Sequence, residues 1–172
     1  WGTFMKKIAV AALATVLAAG AAHAAPTSGN TSTAQGSATA TIVAPIVLTH
    51  VDGAVLSFGT FTVGGGGSVV VSAADGTGSD NGDVGFVSGS TTSADQFTVT
   101  GDANRGFDIV TRNGSVSNGT DTMTVRTTPS AATGTLDGDG NASFSVGGRL
   151  IVAGTESEGE YTGSYDAVVT YN

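Results

Sequence analysis

The chain has no cysteine among its 172 residues, only 3 prolines and only 20 charged side chains. Without cysteine there is no disulfide, no thiolate zinc site, no lipid-modified Cys and no cysteine nucleophile. Lysine is almost absent too: Lys6 and Lys7 are the only two. A nucleic-acid surface needs clustered Lys and Arg, and a net charge of −8 argues against one. The charged residues are also too sparse for a coiled coil, whose helices carry many Glu and Lys. Length suits one domain with its own core.

The first 24 residues differ from the rest. Met5-Lys6-Lys7 is a positive n-region, Ile8 to Ala19 is an apolar run, and Ala22-His23-Ala24 has the small-x-small form of a cleavage site. That run falls well short of the ~20 residues a membrane helix needs. Residues 5–24 therefore read as a secretory signal peptide, and Trp1 to Phe4 as an artefact upstream of the start. From Ala25 onward, four Arg stand against all fourteen acids, a net −10. Those 148 residues hold 24 Thr, 17 Ser and 25 Gly. Such a chain lacks helix formers and favours strands joined by turns.

After a polar leader, residues 25–35, the pattern changes. Ala38, Ala40, Ile42, Ala44, Ile46 and Leu48 are apolar at every second position, which predicts a strand over residues 38–48, interrupted at Pro45. Further strands are predicted at 56–63, 68–72, 84–87, 96–100, 107–111, 122–127, 142–146, 150–152 and 164–171. Residues 75–83 read as a polar loop. Asn81-Gly82, Asn113-Gly114 and Asn118-Gly119 read as turns, and Gly147-Gly148 as a tight hairpin. Short strands at this spacing indicate an all-β fold, a β-sandwich occupying residues 36–172. The expected core is Ile46, Leu48, Phe58, Val69, Phe86, Phe97, Val99, Phe107, Ile109, Met123, Val125, Leu136, Phe144, Val146, Leu150, Val152, Val169 and Tyr171.

Chemistry is thin. His50 is the only histidine after the signal segment, no nucleophile elbow is present, and a solvated strand-end histidine is the expected reading. Glu156, Glu158 and Glu160 read as a solvated loop face. Asp137-Gly138-Asp139-Gly140-Asn141 opens like a calcium loop, but Ala142 and Gly148 stand where that loop needs Gly and Glu. A weak calcium site there, or at Asp75, Asp80 and Asp83, is disfavoured against turn chemistry. No catalytic residue, metal site or cofactor is assigned, and an enzyme is not expected.

The two ends belong together. Tyr165, Ala167, Val169 and Tyr171 share one face of the last predicted strand. A chain ending in a strand leaves an edge that needs cover, and a mobile alternating segment can supply it to a neighbour. Such head-to-tail insertion propagates into a filament.

The segments Ala38–Ile46, Leu56–Thr60, Gly134–Asp137, Val146–Leu150, Gly159–Gly163 and Val168–Tyr171 resemble, in that order, an uncharacterised family of secreted bacterial domains. That family is similar to spore coat U-type domains and to archaic chaperone–usher pilins, which share the strand, the Leu-x-Phe-Gly element and the tyrosine-rich ending. The resemblance implies an incomplete immunoglobulin-like sandwich, completed first by a periplasmic chaperone and then by the next subunit's strand, with an outer-membrane usher at export. It implies donor positions at Ala38, Ala40, Ile42, Ala44, Ile46 and Leu48, and an acceptor edge at Tyr165, Ala167, Val169 and Tyr171. Related pilins often carry a disulfide near the donor segment; this chain has none. The expected function is a structural subunit of a surface filament, exported through the periplasm. The alternative is a self-complemented monomeric sandwich acting as a coat or binding module. Deletion of residues 25–43 separates the two.

Overall fold

The computed structural model describes residues 29–31 and 33–172. The expected signal peptide, residues 5–24, lies outside the described residues, as does most of the start of the leader. The chain falls into two units, Trp1–Thr41 and Ile42–Asn172. The described residues of the first form no helix or strand. The second is an all-β sandwich, and no helix occurs among the described residues.

Thirteen strands follow one another: β1 (Val47–His50), β2 (Phe61–Thr62), β3 (Gly67–Val71), β4 (Gly78–Gly82), β5 (Gly85–Phe86), β6 (Asp95–Thr100), β7 (Gly106–Thr111), β8 (Gly114–Ser117), β9 (Thr122–Pro129), β10 (Thr133–Thr135), β11 (Asn141–Val152), β12 (Thr162–Ser164) and β13 (Ala167–Tyr171). Period-two burial explains the central ones. In β6, Asp95, Phe97 and Val99 face inward while Gln96, Thr98 and Thr100 face water. Phe107 and Ile109 do the same in β7, and Met123 and Val125 in β9.

The main sheet runs β1-β6-β11-β9-β8-β12, with β3 also on β11 and β4 on β3; β10-β7-β13 and β2-β5 are smaller sheets. All the pairings are antiparallel. The long β11 carries two clusters. Its first half packs with β6 and β7 around Phe97, Val99, Phe107, Leu136, Phe144 and Val146. Its second half packs with β3 and β9 around Val69, Val71, Met123, Val125, Leu150 and Val152. Phe107 and Leu136 are each 1% exposed, and burying a side chain of that size contributes roughly 1.5–3 kcal/mol.

Several boundaries depart from the expectation. The strand predicted over residues 38–48 begins only at Val47; residues 38–46 have no strand partner. Gly147-Gly148 is not a hairpin. Both residues lie inside β11, where it leaves β6 after Val146 and takes β3 from Gly148 on. A Cβ at Gly147 would strike the Val71 carbonyl and the Ala73 amide, so glycine is there for close backbone approach. The polar loop 75–83 contains β4, bound to β3 from Gly67↔Gly82 to Val71↔Gly78. β4 is exposed along most of its length, so no apolar alternation marks it. The last predicted strand is two, β12 and β13, in different sheets, with the crossing at Tyr165-Asp166. The Asn118-Gly119 turn is as expected, Gly119 sitting at φ +92° with the Asn118 side chain accepting from Thr120 and Asp121 amides. Val71 and Val84 join the core unforeseen, while Ile46, Leu48, Phe86, Val169 and Tyr171 are half-buried.

Candidate functional site: the seam between the first and last strands

β1 pairs with β6 alone and β13 with β7 alone, so each is a sheet edge among the described residues. The two edges lie against one another: Ile46, Leu48, Ala167, Val169 and Tyr171 all pack on the same cluster. No ladder joins them.

The direction of the free backbone groups follows from the hydrogen-bond parity of an antiparallel pair. Arg112 N–H donates to Asp166 O at 2.8 Å and Asn172 N–H to Gly106 O at 3.3 Å. The pairs in between that exchange bonds with β7 are therefore those of Val168 and Thr170. The N–H and C=O groups of Ala167, Val169 and Tyr171 point off the open edge. On β1, Val51 N–H donates to Gln96 O at 3.0 Å, which makes Thr49 and Val47 the bonded positions. Leu48 and His50 then present their backbone outward.

Side chains bridge the seam at two places. Near one end, Asp95 collects three donors: His50 Nε2 at 2.7 Å, the Gln96 amide at 2.8 Å and the Tyr165 hydroxyl at 2.7 Å. Asp95 is 6% exposed, so its carboxylate depends on these partners, while the His50 side chain is 48% exposed. The Tyr165 ring stands edge-on to Phe97, 6.3 Å between centroids, and Phe97 stacks on Phe144. Burial pushes the Tyr165 phenol far above its ordinary range, and the hydrogen bond to Asp95 and that carboxylate's charge add to the shift. At the other end, the Tyr171 hydroxyl donates to the Ala44 carbonyl at 3.0 Å and accepts from the Asp102 amide at 2.7 Å. The Arg105 guanidinium lies 5.2 Å over the Tyr171 ring and pairs with Asp102 at 3.3 Å.

The residues singled out in the sequence distribute as follows. Ala38 and Ala40 are exposed and outside any strand, and Ile42 is 97% exposed. Ala44 is exposed but its carbonyl is held by Tyr171. Ile46 and Leu48 pack on this chain's own cluster, beside Ala167, Val169 and Tyr171. Tyr165 precedes β13 rather than lying within it. His50 ends β1 with its side chain half exposed, as expected of a solvated strand-end histidine, and is in addition tied to Asp95. The missed residue is Asp95, and a signal for it was present: an acid at the inward parity of Phe97 and Val99 requires buried donors.

Elsewhere the acids serve backbone turns. Asp137 Oδ1 accepts from the amides of Asp139 and Asn141 at 2.9 and 2.8 Å. Asp75 accepts from Thr77 N–H at 3.1 Å, and its carboxyl is held below the ordinary range by the Ser72 hydroxyl first and Thr77 next. Among the described residues no three His, Cys, Asp or Glu side chains come together as a metal set.

No curated protein and no solved structure matches the chain. A family model does match, over residues 47–171, which begins on the first residue of β1 and ends on the last residue of β13. With the whole sandwich covered, from one edge of the seam to the other, the chain belongs to the family described as "Domain of unknown function (DUF4402)".

Proposed function

We propose that the protein is a structural subunit of a bacterial surface filament, assembled when the segment before β1 of one copy adds as a strand to the β1–β13 seam of another. The observation that carries this reading is the pair of facing, unladdered edges, whose inward side chains are only half-buried while Phe107 behind them is fully covered. Other edges are poor templates: β4 is polar, β10 and β12 are three residues each. β13 is five residues of AVVTY without a charge. An inserted strand finds main-chain donors and acceptors on both sides and places alternate side chains inward. Because Ile46 and Leu48 are occupied in their own domain, the donor is narrowed to Ala38, Ala40, Ile42 and Ala44. Export through the periplasm, a chaperone and an usher come with the resemblance to chaperone–usher pilins and belong to the proposal.

The test is the state of the full chain on its producing cells. Sheared surface material, run unboiled beside boiled, gives a ladder that collapses on heating, and negative-stain microscopy shows filaments. A single monomer band without filaments overturns the proposal.

One observation favours a second reading, a self-contained monomeric coat or binding module: the Tyr171 hydroxyl already holds Ala44 over the seam. Deleting residues 25–43 separates the readings. A folded monomer that no longer assembles supports strand exchange. An intact chain that forms no ladder, with a fold the deletion leaves unchanged, supports the self-contained module, whose own contact at Ala44 lies beyond the deleted residues.

A further inference from the structure

The two bridges across the seam stand in a fixed relation. Ala44 and His50 are six residues apart along the chain into β1, and so are Tyr165 and Tyr171 along the chain into β13. Tyr171 meets Ala44 and Tyr165 meets, through Asp95, His50, so the two segments run in opposite directions. Between the two bridges Ile46, Leu48, Ala167 and Val169 pack on one cluster. Hydroxyls rather than ladder bonds hold the seam.

We infer that Tyr165 and Tyr171 are two fastenings that hold the seam shut, and that their release controls whether a second copy's strand is admitted. The inference rests on the strand-exchange reading for its partner, a second copy of this chain. Three features support it. Both hydroxyls sit at the ends of the inward line Tyr165, Ala167, Val169, Tyr171, so each closes one end of the space an incoming strand would fill. Each fastening is bolted to a rigid part of the fold: Asp95 opens the central strand β6, and the Asp102 amide that donates to Tyr171 follows the end of β6. The middle of the seam has no such bond and relies on half-buried apolar contact. A strand that adds to both edges must part β1 from β13, and these hydrogen bonds are what parting them breaks.

The experiment uses the full chain as its producing cells make it, with Tyr165→Phe, Tyr171→Phe and the double variant. Phenylalanine keeps the ring and removes only the hydroxyl. Tyr161→Phe is the control, since its hydroxyl bonds Ser157 O at 2.8 Å on the other half of the fold. Native-state amide exchange is read over residues 44–51 and 165–172 and, for comparison, over β3 and β9. The double variant is expected to exchange about tenfold faster in the seam segments alone, as local opening requires, and to build the heat-labile ladder faster than the unaltered chain. Unchanged seam exchange, or an equal rise in β3 and β9 or in the control, overturns the fastenings. If the double variant fails to fold, the single variants carry the same readout, each at its own end of the seam. Faster seam exchange with no ladder in any variant keeps the fastenings and overturns the strand-exchange reading, and with it the control of assembly.

Discussion

The Tyr165 hydroxyl donates to Asp95 Oδ2 at 2.7 Å while His50 Nε2 holds Asp95 Oδ1 at the same distance, so one buried carboxylate ties both edges of the sandwich to β6. Removing that carboxylate takes the partner from the half-buried Tyr165 hydroxyl and from the Gln96 amide. Asp95→Ala is therefore expected to cost about 2–4 kcal/mol, reduced from the fully buried case because His50 can turn to water. Asp95→Asn keeps an acceptor and costs less than half as much. Urea midpoints of the three proteins at neutral pH check the order.

The same pair makes stability depend on alkali. Burial, and then the neighbouring Asp95, hold the Tyr165 proton well above the ordinary phenol value of 10.0. A group whose proton is held more tightly folded than unfolded contributes its full stability below the unfolded value and loses it as pH rises beyond. The unaltered chain is expected to weaken steadily above pH ~10, whereas Tyr165→Phe shows a shallower slope there. Urea midpoints across the alkaline range decide it, and parallel slopes would count against the assignment.

At the acid end the sign reverses. For Glu156, burial opposes the charge but is outweighed by the amides of Ala153, Gly154 and Thr155 at 2.6, 2.8 and 3.1 Å, and its carboxyl lies below the ordinary range. Asp121 is lowered by the Ser157 hydroxyl at 2.5 Å and the Ser157 amide at 2.8 Å. Both depressions favour the folded loop 153–157 above the unfolded carboxyl range and are lost as pH falls through the folded values. Amide shifts of Ala153, Gly154 and Ser157 are expected to move together below pH ~4, and in Glu156→Gln those of Ala153 and Gly154 no longer titrate.

What could be read beforehand follows from where each residue's energy comes from. β6, β7 and β9 are legible because one face of each is buried, and burial writes itself as Phe, Val, Ile or Met at every second position. β4 has no buried apolar face; backbone bonds to β3 hold Gly78–Gly82, and backbone bonds leave no trace in side-chain pattern. Gly147-Gly148 looked like a turn because a turn and a close backbone contact both demand a missing Cβ. Yet Phe144, Val146, Leu150 and Val152 keep one parity across it, which a continuous strand requires. At the seam, the apolar inward positions were visible, but the ties were not: residues 50, 95 and 165 meet only through the topology.

Gly147 offers a sharp check of the partner switch in β11. A methyl there meets the Val71 carbonyl and the Ala73 amide, both main chain and unable to step aside. Gly147→Ala is expected to destabilise by about 3 kcal/mol or more, at the upper end of overpacking costs, by forcing β3 from β11. Gly138, which has nothing within 4 Å of an added methyl and no positive φ, serves as the comparison: Gly138→Ala stays within about 0.5 kcal/mol. Thermal melts of both variants suffice.

Ile42 separates folding from assembly most cleanly. It is 97% exposed, ahead of β1 and outside residues 47–171 that define the family's domain. A large apolar side chain so exposed adds nothing to the fold that carries it, so Ile42→Asp is expected to leave the urea midpoint unchanged within about 0.5 kcal/mol. If its place is the inward side of another copy's seam, the same change puts a charge where Val169 and Leu48 pack, and burial of an unpaired carboxylate is prohibitive. The heat-labile ladder should then vanish while the monomer remains intact. Leu48→Asp, by contrast, strikes this chain's own core and lowers both stability and assembly. A ladder that survives Ile42→Asp removes Ile42 from the donor segment, and with it the one large side chain among the donor positions Ala38, Ala40, Ile42 and Ala44.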